Sequence, residues 1–293
     1  MKKYIGEIGL FITAVIWGSG FVASAVSLEY YTPYQILAGR FLIGVILLSC
    51  FFYKKLRQIK KSVIIKGAVV GLFLYIAFVL QTVGLQYTTP SKNAFLTAVN
   101  VVIVPFIAYF MYKRKVNRFE VIGAILAVTG VGVISLKLSG QINFGDLLTL
   151  FCAVAFAFHI FYTAKFVKDE DPVLLTLIQM ITATVLGFIM VLFRGEVNVS
   201  FEKEGINSLL YLGVFSTTIA FLLQTVAQKY TTETNAAIIL STEAFWGMVF
   251  SVIILNEILT MKMAVGAVLI LMAIIISETK LTFLTKQVVK EGT

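Results

Sequence analysis

Charge is what this sequence has least of. Only 13% of its 293 residues are Asp, Glu, Lys or Arg, against about 25% in an ordinary soluble domain. That shortage excludes a water-soluble globule. Disorder and fibrous structure are excluded by the opposite excess, 59% hydrophobic residues and a mean hydropathy of +0.95, with no short repeat. Cysteine is scarce too: Cys50 and Cys152 both sit in apolar runs, which speaks against a secreted disulfide framework. The single histidine, His159, cannot make a His-rich metal site, and no His-Glu-x-x-His helix or Gly-x-x-x-x-Gly-Lys phosphate loop is present. No cofactor is expected. The net charge of +9 invites a nucleic-acid reading, but Lys and Arg also gather in the cytoplasmic loops of membrane proteins, so no nucleic-acid partner is expected.

What the chain does have is apolar runs of about 20 residues, the length that crosses a bilayer as a helix. Ten can be read, at 5–27, 34–53, 67–87, 92–112, 119–137, 145–165, 172–193, 206–228, 234–256 and 262–280. Their connections are short. Backbone polar groups in lipid must pair within the segment, so these runs should be helices. Lys54, Lys55, Arg57, Lys60, Lys61 and Lys66 follow the second span, and Lys113, Arg114, Lys115 and Arg118 follow the fourth. This bias places both termini in the cytoplasm. Lys2-Lys3, an apolar run and Ala23-Ser24-Ala25 resemble a cleaved signal peptide, but the run is long for one, and it is kept as the first span.

The most specific signal is self-similarity. Leu80-Gln81-Thr82-Val83 and Tyr87-Thr88-Thr89 recur as Leu223-Gln224-Thr225-Val226 and Tyr230-Thr231-Thr232, at an offset of 143, which also pairs Gly123-Ala124 with Gly266-Ala267. Earlier, an offset of 139 pairs Gly6-Glu7 with Gly145-Asp146 and Pro33 with Pro172. The expectation is an all-α polytopic membrane protein of ten transmembrane helices built as a five-plus-five inverted repeat, with residues 1–139 as the first copy and 140–293 as the second. Because five is odd, the copies enter the bilayer from opposite sides, a layout used by carriers that bind solute near the midplane. The turns at Tyr87 and Tyr230 then fall on opposite faces, as gate rims or simply as Thr-capped helix starts.

Polar groups deep in lipid are costly and tend to face a partner or a cavity. Asn93, Thr97 and Asn100 form one stripe, at i, i+4 and i+7. Thr13, Trp17, Gly20 and Ser24 in the first span match Cys152, Phe156, His159 and Thr163 in the sixth. Phe78 and Gln81 match Phe221 and Gln224, and Asn100 matches Glu243, with Trp246 one turn on. The candidate cavity set is Trp17, Gly20, Phe78, Gln81, Asn93, Thr97, Asn100, Phe156, His159, Phe221, Gln224, Glu243 and Trp246. Spans 1, 3, 4, 6, 8 and 9 should surround it, with the fifth and tenth outside. Bridging between helices is the competing reading of the Asn, Thr and Gln residues. Glu243 could carry a proton, bind an amine or pair with Arg40. Arg40 itself reads as structural, snorkelling or paired with a carboxylate.

Trp17-Gly18-Ser19-Gly20-Phe21, then Pro33 and Arg40-Phe41, and near the end Asn256-Glu257, Leu259-Thr260 and Gly266-Ala267, resemble signatures of the EamA-type family of the drug/metabolite transporter superfamily. The resemblance spans nearly the whole chain. It implies ten helices, a cytoplasmic (inner) membrane location and export of small metabolites, amino acids or xenobiotics. One departure concerns the ninth span: where the family often has Leu-Glu-Pro, this chain has Thr242-Glu243-Ala244, and the kink a proline would impose is not expected.

The function read from these residues is a secondary transporter, an exporter working by alternating access. Its partners would be a small-molecule substrate, the lipid bilayer, protons, and a second copy meeting through small residues such as Gly123 and Ala127. A passive channel or a non-transporting scaffold is the alternative. An intramembrane enzyme fits less well, since His159 is the repeat mate of Gly20 beside Ser19, and no Gly-x-Ser-x-Gly setting surrounds that serine.

Overall fold

The computed structural model describes the backbone of residues 2–113, 115–136, 143–228, 230 and 239–279, and their side chains except at 2, 3 and 278. Thr231, Thr232, Lys137, the first residues of the ninth span and the C-terminal lysines lie outside that set. The described chain is helical: α1 Lys2–Ser27, α2 Pro33–Phe51, the one-turn α3 Tyr53–Leu56, α4 Lys61–Leu85, α5 Pro90–Ala98, α6 Asn100–Tyr112, α7 Arg118–Ser135, α8 Phe144–Phe166, α9 Pro172–Phe193, α10 Lys203–Tyr211, α11 Ala220–Ala227, α12 Glu243–Leu255 and α13 Met261–Thr279. Among the described residues there is no β-strand. Eight stretches are long and apolar enough to cross a membrane, with Pro90–Tyr112 and Lys203–Ala227 each counted as one. The shorter apolar helices Ile239–Leu255 and Met261–Ser277 complete the set.

Starts of helices follow local chemistry. Thr32 caps α2 in a capping box with Gln35, ahead of Pro33 in the first turn. Asp171, 139 residues on, caps α9 ahead of Pro172 by accepting from the Val173 and Leu174 amides, without a box. Asn117 and Glu120 form a second box on α7. The third span begins at Lys61 rather than at residue 67, because Lys66 reaches Glu170 at 2.7 Å and Asp169 at 3.6 Å and the charged first turn is satisfied there.

Two spans are interrupted at matching places. The fourth breaks at Val99, between α5 and α6. Pro105, one turn into α6, cannot donate to residue 101 and its ring crowds that carbonyl. The ninth breaks at Thr242, 143 residues later, between residues 239–241 and α12. No proline follows it. Instead the Thr242 hydroxyl donates to the Ile239 carbonyl at 2.7 Å, and such back-bonding bends helices. Both spans end on a left-handed residue, Lys113 and Asn256, each at φ 53° and again 143 apart. The eighth span carries a π-helical turn at Leu212–Ile219, in which the Thr218 hydroxyl donates to the Gly213 carbonyl.

The fifth and tenth spans, α7 and α13, lie along each other, with Gly123 against Ala273 and Ser277 and Gly130 against Gly266. Ala127 is buried in the same cluster. The small-residue face named for a second copy packs on α13 within the chain: van der Waals contact between close backbones is what joins such helices in lipid. The other spans enclose the middle of the molecule, α4 packing on α8 and α9, α2 on α9, and α1 on α12.

Candidate functional site

A cavity in that middle is lined by Trp17, Gly20, Phe21 and Ser24 of α1, Arg40 of α2, Phe78, Gln81, Thr82 and Leu85 of α4, Asn93, Thr97 and Asn100 of the broken fourth span, Phe156, His159 and Ile160 of α8, Ser216, Phe221 and Gln224 of the eighth span, and Glu243 of α12. Twelve of the thirteen residues marked from sequence stand in this lining. Trp246 does not. A Cβ on Gly18 would lie 2.4 Å from the Trp246 Cβ, so α1 and α12 approach too closely for the indole to lie between them. It rests instead on Phe11, with ring centroids 5.9 Å apart. The cavity volume is about 60 Å³; a water needs ~10–15 Å³ by the same measure. Several waters fit, and a metabolite needs the walls to move.

Arg40 was missed, and its partners explain why. It is 2% exposed, does not snorkel, and meets no carboxylate among the described residues. Its Nε donates to Thr217 Oγ1 at 2.8 Å and its Nη2 to Ser216 Oγ at 3.3 Å. The guanidinium carbon lies 4.3 Å from the Phe78 ring centre, a cation–π contact. Both hydroxyls belong to the π-helical turn, which also offers the Ser216 carbonyl to Trp17 Nε1 at 3.1 Å. Such turns are frequent at functional sites, and no sequence pattern announced this one. A seventh span, the second, thus joins the six expected around the cavity, and Gly20 admits Ser216 because a Cβ there would lie 2.6 Å from its hydroxyl.

His159 Nε2 lies 2.9 Å from Gln179 Oε1, and its ring meets Phe156 and Phe221 edge-on. Gln81 donates to Thr97 at 3.1 Å, and Asn93 to Thr149 at 2.9 Å and to the Gln81 carbonyl at 3.2 Å. The polar stripe of the fourth span therefore bridges helices and lines the cavity at once. Glu243, 9% exposed, makes no hydrogen bond and no ion pair with a described residue. Asn93 Oδ1, Asn100 Oδ1 and Gln224 Oε1 are buried without a protein donor.

The two ends of the cavity differ. Towards Tyr87 the lining continues through Leu85, shared with a more open vestibule of about 390 Å³ walled by Ala25, Leu28, Glu29, Gln86, Thr88, Pro90 and Leu255. On the far flank of the Tyr87 turn, Thr88 donates to Asp146 at 2.5 Å and Lys92 lies 3.6 Å from the same carboxylate. Towards Tyr230 the closure is apolar, with Leu10, Ala227 and Leu240 packed together beneath Trp17 and Ile239. The rings of Tyr87 and Tyr230 are about half exposed and do not themselves plug the path. At the Tyr230 end, Lys55 meets Asp171 at 2.6 Å and Lys66 meets Glu170 at 2.7 Å. Hydrogen bonds from Lys66 and Ser62 hold the Glu170 carboxyl below the usual carboxylate range. Burial pushes Asp171 up, but hydrogen bonds from Lys55 and the Leu174 and Val173 amides outweigh it, and that carboxyl too lies low.

Many apolar helices around a small cavity with polar groups in its wall define a multi-pass membrane protein. The model of the EamA-like transporter family matches residues 4–136 and again 143–279, and the chain belongs to that family. It is similar to an "Uncharacterized transporter" of Archaeoglobus fulgidus, 34% identical over 279 residues that cover 94% of this chain and 86% of the relative. It is also similar to "Uncharacterized transporter YoaV" of Bacillus subtilis, 21% identical over 90% of this chain and 93% of the relative. A solved structure titled only "Crystal structure of protein" shares the fold at a TM-score of 0.68 and 15% identity, covering 95% of this chain and 98% of its own. Family and relatives point to a membrane transporter rather than an enzyme.

Proposed function

We propose that the protein is a secondary carrier that exports a small organic solute across the cytoplasmic membrane by alternating access. Its ten spans form two inverted five-span halves, both termini are cytoplasmic, and the solute binds between the halves with Glu243 at its centre. Energy comes from the solute gradient or a proton gradient. The observation that carries this reading is a buried polar cavity, lined from both halves, that leads towards the Tyr87 end and is sealed by apolar packing at the Tyr230 end. The matched breaks at Val99 and Thr242, the matched left-handed residues Lys113 and Asn256 and the twofold family match support the inverted halves. Alternation then means breaking one closure while forming the other.

Flux through proteoliposomes tests the proposal. A carrier shows saturable exchange that an opposing gradient of the same solute accelerates. Pore-like conductance points to a channel, and no flux of any solute that binds points to a scaffold. Glu243→Gln should insert normally and show altered, pH-insensitive transport; wild-type kinetics and wild-type pH dependence would remove Glu243 from the site.

A further inference from the structure

The eighth span contains a π-helical turn, whereas its repeat mate, the third, is α-helical throughout. We propose that the turn is a one-residue insertion carried by the second copy alone, and that it positions Arg40 in the cavity. Turn and arginine can be tested without solute; only their use in transport rests on the carrier reading above.

The register of the contacts carries the insertion. Beyond the turn the copies match at an offset of 143: Gly145 faces Gly84 and Tyr87, as Gly6 faces Ala227 and Tyr230. Before the turn they match at 142. A Cβ on Gly71 would lie 2.7 Å from the Thr182 Cβ, and one on Gly213 would lie 2.7 Å from the Ile43 Cβ, with Ile43 and Thr182 at the offset of 139. One turn earlier Gly67 meets Ile178 while Leu209 meets Gly39, the same pair of positions with the glycine moved to the other helix. Residues 214–219 of the eighth span therefore fill the place of 72–76 in the third, six where the first copy has five.

A π-turn bonds an amide to the fifth residue back rather than the fourth, so it takes up an extra residue without rotating the helix beyond it. The Ala220 amide accordingly reaches the Phe215 and Thr217 carbonyls and passes over that of Ser216. Trp17 Nε1 takes the carbonyl so released, at 3.1 Å, and the Thr218 hydroxyl takes that of Gly213, at 2.7 Å. Arg40 donates to Thr217 and Ser216 on the same turn. The mate of Arg40 is Gln179, which bonds to His159, the mate of Gly20. Position 20 offers no side chain, and the turn supplies the acceptors that the guanidinium needs. A buried ion stripped of such partners is strongly disfavoured, so turn and arginine depend on each other.

Single-residue deletions in purified full-length protein test this. Phe215 and Leu72 are mates on the outer surface, 45% and 44% exposed. Deleting Phe215 should let the turn relax to α-helix and leave a folded protein that melts about 5 °C or more lower, because Arg40 has lost its seat. In an Arg40→Gln background, which rebuilds the arrangement of the first copy, the same deletion should cost less than about 2 °C. Deleting Leu72, where the helix has no slack, turns one side of α4 by about 100° against the other and should abolish folding. Trp17 and Trp246 are the only tryptophans, so nitrogen-labelled protein gives two indole signals; deletion of Phe215 should shift that of Trp17 and leave that of Trp246. Thr217→Val should remove the hydrogen-bonded Arg40 Nε–H signal, and Thr217→Ser should restore it. Equal costs of the Phe215 deletion in the two backgrounds, or an Arg40 signal indifferent to Thr217→Val, overturn the positioning role. A Phe215 deletion that folds in neither background, a Leu72 deletion that is tolerated, or an unmoved Trp17 signal overturns the insertion. Absence of flux in a protein that meets all of these counts against the carrier reading alone.

Discussion

The Tyr87 and Tyr230 ends share a backbone plan and differ in chemistry. Gly145 faces Gly84 and Tyr87 at one end, and Gly6 faces Ala227 and Tyr230 at the other. The offset of 139 that pairs these glycines also pairs Asp146 with Glu7 and Thr149 with Leu10. At the Tyr87 end, where the cavity leads to the vestibule, a polar network ties the flank of the turn, Asn93 to Thr149 and Thr88 with Lys92 to Asp146. At the Tyr230 end the closure is Leu10 packed on Ala227 and Leu240. One architecture has thus been given a directional tie of hydrogen bonds and a non-directional apolar latch. Hydrogen bonds are short-ranged and angular and break over a small displacement, whereas apolar contact depends on area and fit rather than angle.

The largest expected effect tests the backbone plan. A Cβ on Gly145 would lie 2.4 Å from the Gly84 carbonyl oxygen, but one on Gly6 would lie 3.1 Å from the Tyr230 Cβ. Gly145→Ala meets backbone atoms that cannot swing aside, so it should force the helices apart and cost more than about 3 kcal/mol. Gly6→Ala should cost less than about 1 kcal/mol, since the helical gain from alanine offsets the squeeze. Paired melting curves in detergent check this, and equal losses would make the two contacts equivalent.

The next effect tests the apolar latch. Leu10→Thr removes a fully buried side chain and introduces a hydroxyl, at a cost of roughly 2–4 kcal/mol. It should also raise reagent access to the cavity from the Tyr230 end. The matching change at the other end, Asp146→Asn, keeps an acceptor for Thr88 and loses only the pairing with Lys92, whose side chain is 23% exposed. About 1 kcal/mol or less is expected, together with loss of the salt dependence of transport that a partly exposed pair confers.

The smallest effect concerns the ion pairs that tie the Tyr230 end. Glu170 and Asp171 both titrate low in the folded protein, so their contribution is present above the ordinary carboxylate range and is lost as pH falls through the lowered folded values. Melting temperature followed from neutral into acid should drop less at low pH in Glu170→Gln than in the wild type. Parallel curves would remove this pair from the account.

Much of the likeness between the two ends is legible in the amino-acid sequence. The Gly6/Gly145 and Gln81/Gln224 correspondences are residue identities at fixed offsets, and the stripe Asn93, Thr97 and Asn100 follows from helical period alone. Three features are not legible there, each because tertiary packing decides it. Arg40 faces the cavity because a π-helical turn presents Ser216 and Thr217 to it. Trp246 leaves the lining because α1 and α12 touch at Gly18. The ninth span is interrupted at Thr242, whose hydroxyl bonds back to the Ile239 carbonyl, and no proline marks the place. The small residues of α7 also point to a second copy, but the same chemistry serves equally well against α13 within one chain.

Alternating exposure of the cavity is the claim on which the mechanism stands, and impermeant thiol labelling addresses it most directly. In a background lacking Cys50 and Cys152, Ser24→Cys reports the Tyr87 side and Leu10→Cys the Tyr230 side. As a transported solute is added to one side of sealed vesicles and then the other, labelling at one position should rise while labelling at the other falls. Both rising together, or neither responding to a solute that is carried, would contradict the account.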